Sequence, residues 1–198
     1  MKQITFKEYR KIDIFILCFL TAFFEAIASL ASDRWFNLQA MTVSITLALT
    51  CITFMRWNLY ALLPSLIGAF VYCTIIGGNI QQYLIYCCGS LFIAIVFPLA
   101  KKITKEKIRK DFFFKMVFAS SMYLSLTIGR WICSLPFEFS IKTFLTFLGT
   151  DILSLLFAIV VLAIAKNVDG LIEDQKSYLL RLERERKEEQ EANLNDPF

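Results

Sequence analysis

The chain has 198 residues, of which 57% are hydrophobic and 19% charged, with net charge +4, twenty Phe and no His. A soluble domain is about 45–50% apolar and about 25% charged. The excess here falls in runs long enough to cross about 30 Å of hydrocarbon, which excludes an ordinary soluble globule. The lack of His excludes Ser-His and Cys-His nucleophile pairs, His-ligated metal or haem and His proton relays, so neither catalysis nor a cofactor is expected.

The expected fold is an all-α membrane protein: a six-transmembrane-helix bundle over residues 1–166, then a charged cytoplasmic helical tail over 167–198. Helices follow because backbone in lipid must satisfy its own hydrogen bonds, and the alternation of a barrel is missing. The basic N-terminal lead runs into a long apolar stretch with no small-residue cleavage site, and is read as a retained first span over 12–31. The later spans are expected at 38–55, 59–76, 80–100, 112–135 and 144–165. The six Cys lie in or beside these runs without a C-x-x-C, and are read as small apolar packing residues.

Lys and Arg set the orientation. Seventeen of them lie in the N-terminal segment, at Arg56, in the loop 101–111 and in the tail, all on one side of the expected bundle. The other side has Arg34, Lys142 and, near its edge, Arg130. The rich side is expected to be cytoplasmic, with both termini there, in a plasma membrane. No nucleic-acid partner is needed to explain the basic residues; the bilayer suffices. Trp35, Trp57 and Trp131 fall near expected interfaces.

The composition flips after Lys166, where residues 167–198 hold nine acids and five bases. Residues 168–192 read as a helix. Ile172, Leu179 and Leu182 form a short apolar stripe on it that is either a solvated face or a contact for a cytoplasmic partner.

Charged residues inside spans cost at least about 2.5–3.5 kcal/mol each, so they mark candidate sites. Three stand out: Glu25, Arg130 and Asp151. Each lies roughly 8–10 Å below the outer end of its span at 1.5 Å per residue. Arg130 either pairs with Glu25 or Asp151 as glue between helices, or the three line an outward-facing pocket. Asn79, Gln82 and Trp131 are expected as further pocket contacts, with Asp33 and Glu138 able to join from loops. In such a pocket Arg130 would grip a carboxylate or phosphate and Trp131 would stack on a ring. Ala22 and Ala26 form a small-residue pair on the first span, Ser121, Ser125 and Gly129 a stripe on the fifth, and Thr146, Thr150, Ser154 and Ala158 one on the sixth. Spacing of four lets helix backbones approach closely.

The chain length, short-looped spans, cytoplasmic termini and outer-half polar cluster, together with the A-x-x-x-A of Ala22 to Ala26, resemble the substrate-binding S component of an energy-coupling factor vitamin transporter. The resemblance covers about residues 1–166. It implies capture of a vitamin-like small-molecule ligand from the outer face. It also implies that Ala22 and Ala26 contact a coupling transmembrane subunit, and that two partner ATPases supply the energy. The alternative is an MreD-like membrane scaffold that holds protein partners through its helices and tail.

Overall fold

The computed structural model describes residues 5–35, 42–98, 105–137, 140–168 and 170–195, which form helices joined by short turns, with no strand among the described residues. Glu138 and the start of the span expected at 38–55 lie outside the described residues, as do the side chains of Asp33 and Trp35.

Helix α1, Phe6–Trp35, opens on a capping box: the Thr5 N–H donates to Glu8 Oε2 (2.9 Å) and the Glu8 N–H to Thr5 Oγ1 (3.4 Å). Helix α2 is Thr46–Trp57 and α3 is Leu62–Ile75, joined by the tight turn Asn58–Ala61. Helix α4, Ile80–Ser90, runs on through a tighter stretch, Leu91–Ile95. A short helix α5, Lys105–Lys110, precedes the long α6, Phe112–Ser134. Helices α7, Ile141–Thr150, and α8, Ile152–Ala165, meet at Asp151, and α9 is Gln175–Asn195.

Four helical runs are long and apolar enough to cross a membrane: Phe6–Ser32, Thr46–Ile75, Ile80–Pro98 and Phe112–Ser134. The pair α7 and α8, bent by 41° at Asp151, makes a fifth. The described residues thus form an all-helical chain with four or five runs long and apolar enough to cross a membrane, consistent with a multi-pass membrane protein. Its outward side chains agree: Phe15 is 73% exposed and Phe113 69%, while Glu25 and Lys115 are buried.

The run Thr46–Ile75 is not a straight rod. It doubles back at Asn58, which takes a positive φ of 54°. A Cβ added to Gly68 would sit 1.9 Å from Thr46 Oγ1, whereas a straight helix would hold the two residues about 33 Å apart. Helices α2 and α3 are therefore antiparallel arms, each about 18–21 Å long and so shorter than a hydrocarbon core of about 30 Å. They occupy the places of the spans expected at 38–55 and 59–76. The span expected at 144–165 is the bent pair.

Between α2, α6 and α8 lies the main apolar core, with Phe54, Met55, Phe118, Met122, Ala158 and Leu162 all buried. Helix α4 packs along α6. Their closest approach uses two glycines: a Cβ on Gly129 would meet Gly89 O at 2.4 Å, and one on Gly89 would meet the Arg130 backbone N at 2.8 Å. Ser125, from the same stripe, donates to Phe92 O. The stripe on α6 is thus an internal contact. Gly129→Ala must push α4 off α6, and is expected to lower stability by about 1–3 kcal/mol. Thermal unfolding of the purified protein in detergent measures this, and an unchanged midpoint would refute the close packing.

At the end of the bundle that carries most of the Lys and Arg, the chain between α8 and α9 is stapled to the helices. Arg56 holds Asp13 through two hydrogen bonds (2.9 and 2.7 Å) and donates to Gly170 O (3.0 Å). Gln175 also donates to Gly170 O (2.7 Å) and accepts from the Tyr9 hydroxyl (3.1 Å). Lys105 bridges Met55 O and Asp174 (2.8 and 2.9 Å). Gly170, at φ 71°, has the Tyr178 ring against it, where a Cβ would meet ring carbon at 2.7 Å. These ties delay the final helix, expected from 168, until Gln175. Ile172 therefore lies before α9, buried in the chain's own core, and shares no helix face with the half-buried Leu179 and Leu182.

Candidate functional site

Residues 42–45 precede α2 in an irregular conformation at a level well inside the bundle. Glu25, their neighbour, is ten residues (35 − 25) from the end of α1, about 15 Å along the axis. Backbone without helical hydrogen bonds must find other partners there, because lipid supplies none. Charged side chains provide them. Glu25 Oε2 accepts from Ser44 Oγ (2.9 Å), Ile45 N (2.9 Å), Thr46 N (3.0 Å) and Thr46 Oγ1 (2.8 Å). It is 1% exposed and caps the N-terminus of α2 from another helix, where the helix dipole favours negative charge.

The opposite flank is tied to the α7–α8 break. The break at Asp151 frees Thr150 O, which accepts from Thr42 N (2.9 Å). Thr42 Oγ1 donates to Asp151 Oδ1 (2.5 Å), and Ser44 N donates to Ser154 Oγ (2.9 Å). The other Asp151 oxygen, Oδ2, forms an ion pair with Arg130. The Arg130 guanidinium also lies over the Tyr86 ring, 4.5 Å from its centre. Of the two partners open to Arg130 in the sequence, Asp151 is the one taken.

Glu25, Arg130 and Asp151 line a single cavity, together with Thr42, Ser65, Tyr72, Tyr86, Tyr123 and Thr127. Its free volume is about 30 Å³, room for about two water molecules. Two buried polar atoms at its wall, Arg130 Nε and Ser65 Oγ, have no hydrogen-bond partner among the described residues. Buried polar atoms without partners are rare and mark where water or a ligand group fits.

The remaining expected contacts lie elsewhere. Asn79 and Gln82 form the capping box of α4: the Gln82 N–H donates to Asn79 Oδ1 (2.9 Å) and the Asn79 N–H to Gln82 Oε1 (3.0 Å). Both are exposed and away from the cavity. Trp131 Nε1 donates to Ser140 O (3.3 Å), and its ring meets Phe144 edge-on at 5.6 Å. It points away from the Arg130 side of the helix. Ala22 and Ala26 are half-buried on α1, beside the exposed Phe23 and Phe24.

Sequence reasoning missed the Tyr and Ser/Thr lining. Tyr72 and Tyr86, with ring centres 5.1 Å apart, form the aromatic wall in place of Trp131. The signal was present as Tyr within otherwise aliphatic runs, four residues from a Gly (Gly68) in one case. Its meaning depended on the α2–α3 hairpin.

No family model, no curated protein and no solved structure matches the chain.

Proposed function

We propose that the chain is the solute-capturing membrane subunit of an uptake system, binding a small polar molecule that carries a carboxylate or phosphate. In this reading the passes number six: α2 and α3 count separately, residues 42–45 completing the crossing of α2 and Asn58–Ala61 that of α3, the bent α7–α8 pair counts as one, and the basic end faces the cytoplasm. Energy comes from separate coupling and ATPase subunits, as in the S components that the chain resembles in layout. The observation that carries the reading is the polar cavity with its two unpartnered atoms, Arg130 Nε and Ser65 Oγ. Discontinuous helices support it. In transporters the irregular backbone at membrane depth lines the solute site, and here Thr42, Ser44 and Asp151 line the cavity.

The cavity has about 30 Å³ of free space, far below the 300 Å³ or so of a pocket that holds a drug-sized ligand. Capture therefore requires 42–45 to part from Asp151 and Ser154. The ligand's anion then takes Arg130 Nε, and its hydroxyl or N–H meets Ser65.

Ser65→Ala separates this reading from mere helix packing. Removing an unsatisfied buried hydroxyl leaves stability unchanged or slightly raised. Loss of one ligand hydrogen bond lowers retention of the co-purified solute by about ten-fold. Mass spectrometry of the released solute, beside a melting curve, reads both. Equal retention in a stable variant would remove Ser65 from the site.

A scaffold role finds support in α9, whose residues Glu183 to Lys187 are all exposed on a helix rooted by the ties at Gly170 and Glu173. A rooted charged helix is suited to holding a protein partner.

A further inference from the structure

The basic end holds a second hollow, distinct from the cavity above. Helix α5, the end of α8 and the start of α9 enclose about 260 Å³, lined by Arg109, Lys110, Lys166, Arg181 and Glu173. Four cationic side chains thus share the lining with one carboxylate. Glu185 lies 3.7 Å from Arg181, and Asp169 lies outside the described residues; counted at full charge, the two still leave the group positive.

The hollow has a fixed floor. Gly170 O accepts from Arg56 and Gln175, and Ile172 is 3% exposed. Two of the cations are also held in place. Glu173 Oε2 pairs with Arg109 at 2.8 Å and with Arg181 at 3.4 Å, so one carboxylate sets two guanidinium forks beside the same space. Lys115, 1% exposed on the next helix, lies within electrostatic reach of both Lys166 and Asp111. Like charges gathered at one place repel, and an anion between them relieves the repulsion. Guanidinium forks match the paired oxygens of a phosphoryl group, and lysines add point charge.

The position narrows the chemistry further. Phe112, Phe113, Ile164 and Val168 are exposed apolar residues adjoining the same group of cations. The hollow sits where the apolar belt gives way to charge, which is the level of lipid headgroups.

We propose that this hollow is a binding site for a phosphoryl-bearing anion. The site stands apart from the solute cavity and needs no transport activity. The phosphoryl group comes either from an anionic phospholipid or from a soluble phosphate, and one experiment distinguishes the two.

The full chain, purified in detergent, is titrated with phosphatidylglycerol, with phosphatidylcholine and with inorganic phosphate. Bound molecules are counted by native mass spectrometry, and the shift in Tm is followed in parallel. The double variant Lys110→Gln/Lys166→Gln is expected to weaken phosphatidylglycerol binding about thirty-fold, from about five-fold per interfacial cation. Lys142→Gln, at the opposite end of the bundle, is expected to leave it unchanged. Phosphatidylglycerol binding with no response to inorganic phosphate assigns the site to a lipid. A Tm rise with inorganic phosphate that is lost in the double variant assigns it to a soluble phosphate. Should the double variant fail to fold, Lys166→Gln alone, at an exposed position, carries the same comparison with a five-fold loss expected. Equal binding of every probe by wild type and variant would overturn the proposal, as would a loss of the same size in Lys142→Gln.

Discussion

Glu25→Ala is expected to lower the unfolding free energy in detergent by about 3 kcal/mol or more. One oxygen of this side chain satisfies two backbone N–H groups and two hydroxyls. Alanine leaves the Ile45 N–H and the Thr46 hydroxyl without a protein partner and the Thr46 N–H with only Ser44 Oγ at 3.3 Å, each lost bond costing about 1–3 kcal/mol less whatever water enters. The loss falls on the start of α2, so hydrogen exchange of the amides at Ile45 and Thr46 should speed up before the rest of the bundle loosens. Glu25→Gln keeps an acceptor oxygen at the same place and is expected to lose about half as much. A Glu25→Ala protein that melts at the wild-type temperature would show that the cap does not hold α2.

Arg130→Ala is the second large effect. It leaves the largely buried Asp151 with the Thr42 hydroxyl at 2.5 Å and no cation, for an expected loss of about 3–5 kcal/mol. The pair itself contributes much less than that figure suggests, because both charges were desolvated to make it. Arg130→Met/Asp151→Leu should therefore recover most of the stability lost in the single variant. The double-mutant cycle of Arg130→Met, Asp151→Leu and the two together, read from melting curves in one detergent, would show strong coupling between the two positions. Additive losses would mean that the two side chains act independently, against the ion pair.

The class of protein could be read from the sequence because it depends on local properties. Apolar runs and the short turns between them each act within a few positions. The membrane character followed from the same runs. The cost of charge in lipid picked out Glu25, Arg130 and Asp151, and all three line one cavity. Their individual partners were not readable. Glu25 serves a segment about twenty residues away, and nothing local in α1 announces that residues 42–45 lack helical hydrogen bonds. Trp131, Asn79 and Gln82 were drawn in by proximity in sequence to Arg130 or to an expected outer surface. Helical periodicity turns Trp131 100° or so away from its neighbour, and the cap at α4 uses up Asn79 and Gln82. Ile172 fits a helical stripe only if the helix begins at 168. The positive φ at Gly170 and its contact with Tyr178 put the start later.

The polar cavity does two things at once: it supplies partners to irregular backbone, and it leaves Arg130 Nε and Ser65 Oγ open. The first role needs no solute, and the second is the basis for capture. The most direct measurement is mass spectrometry of small molecules released from the gently purified wild-type protein and from Arg130→Met/Asp151→Leu. The expected result is a polar, anionic solute from the wild type and none from the apolar variant, although both melt at similar temperatures. The same small-molecule profile from two equally folded proteins would contradict solute capture and leave the charges as structural ties alone.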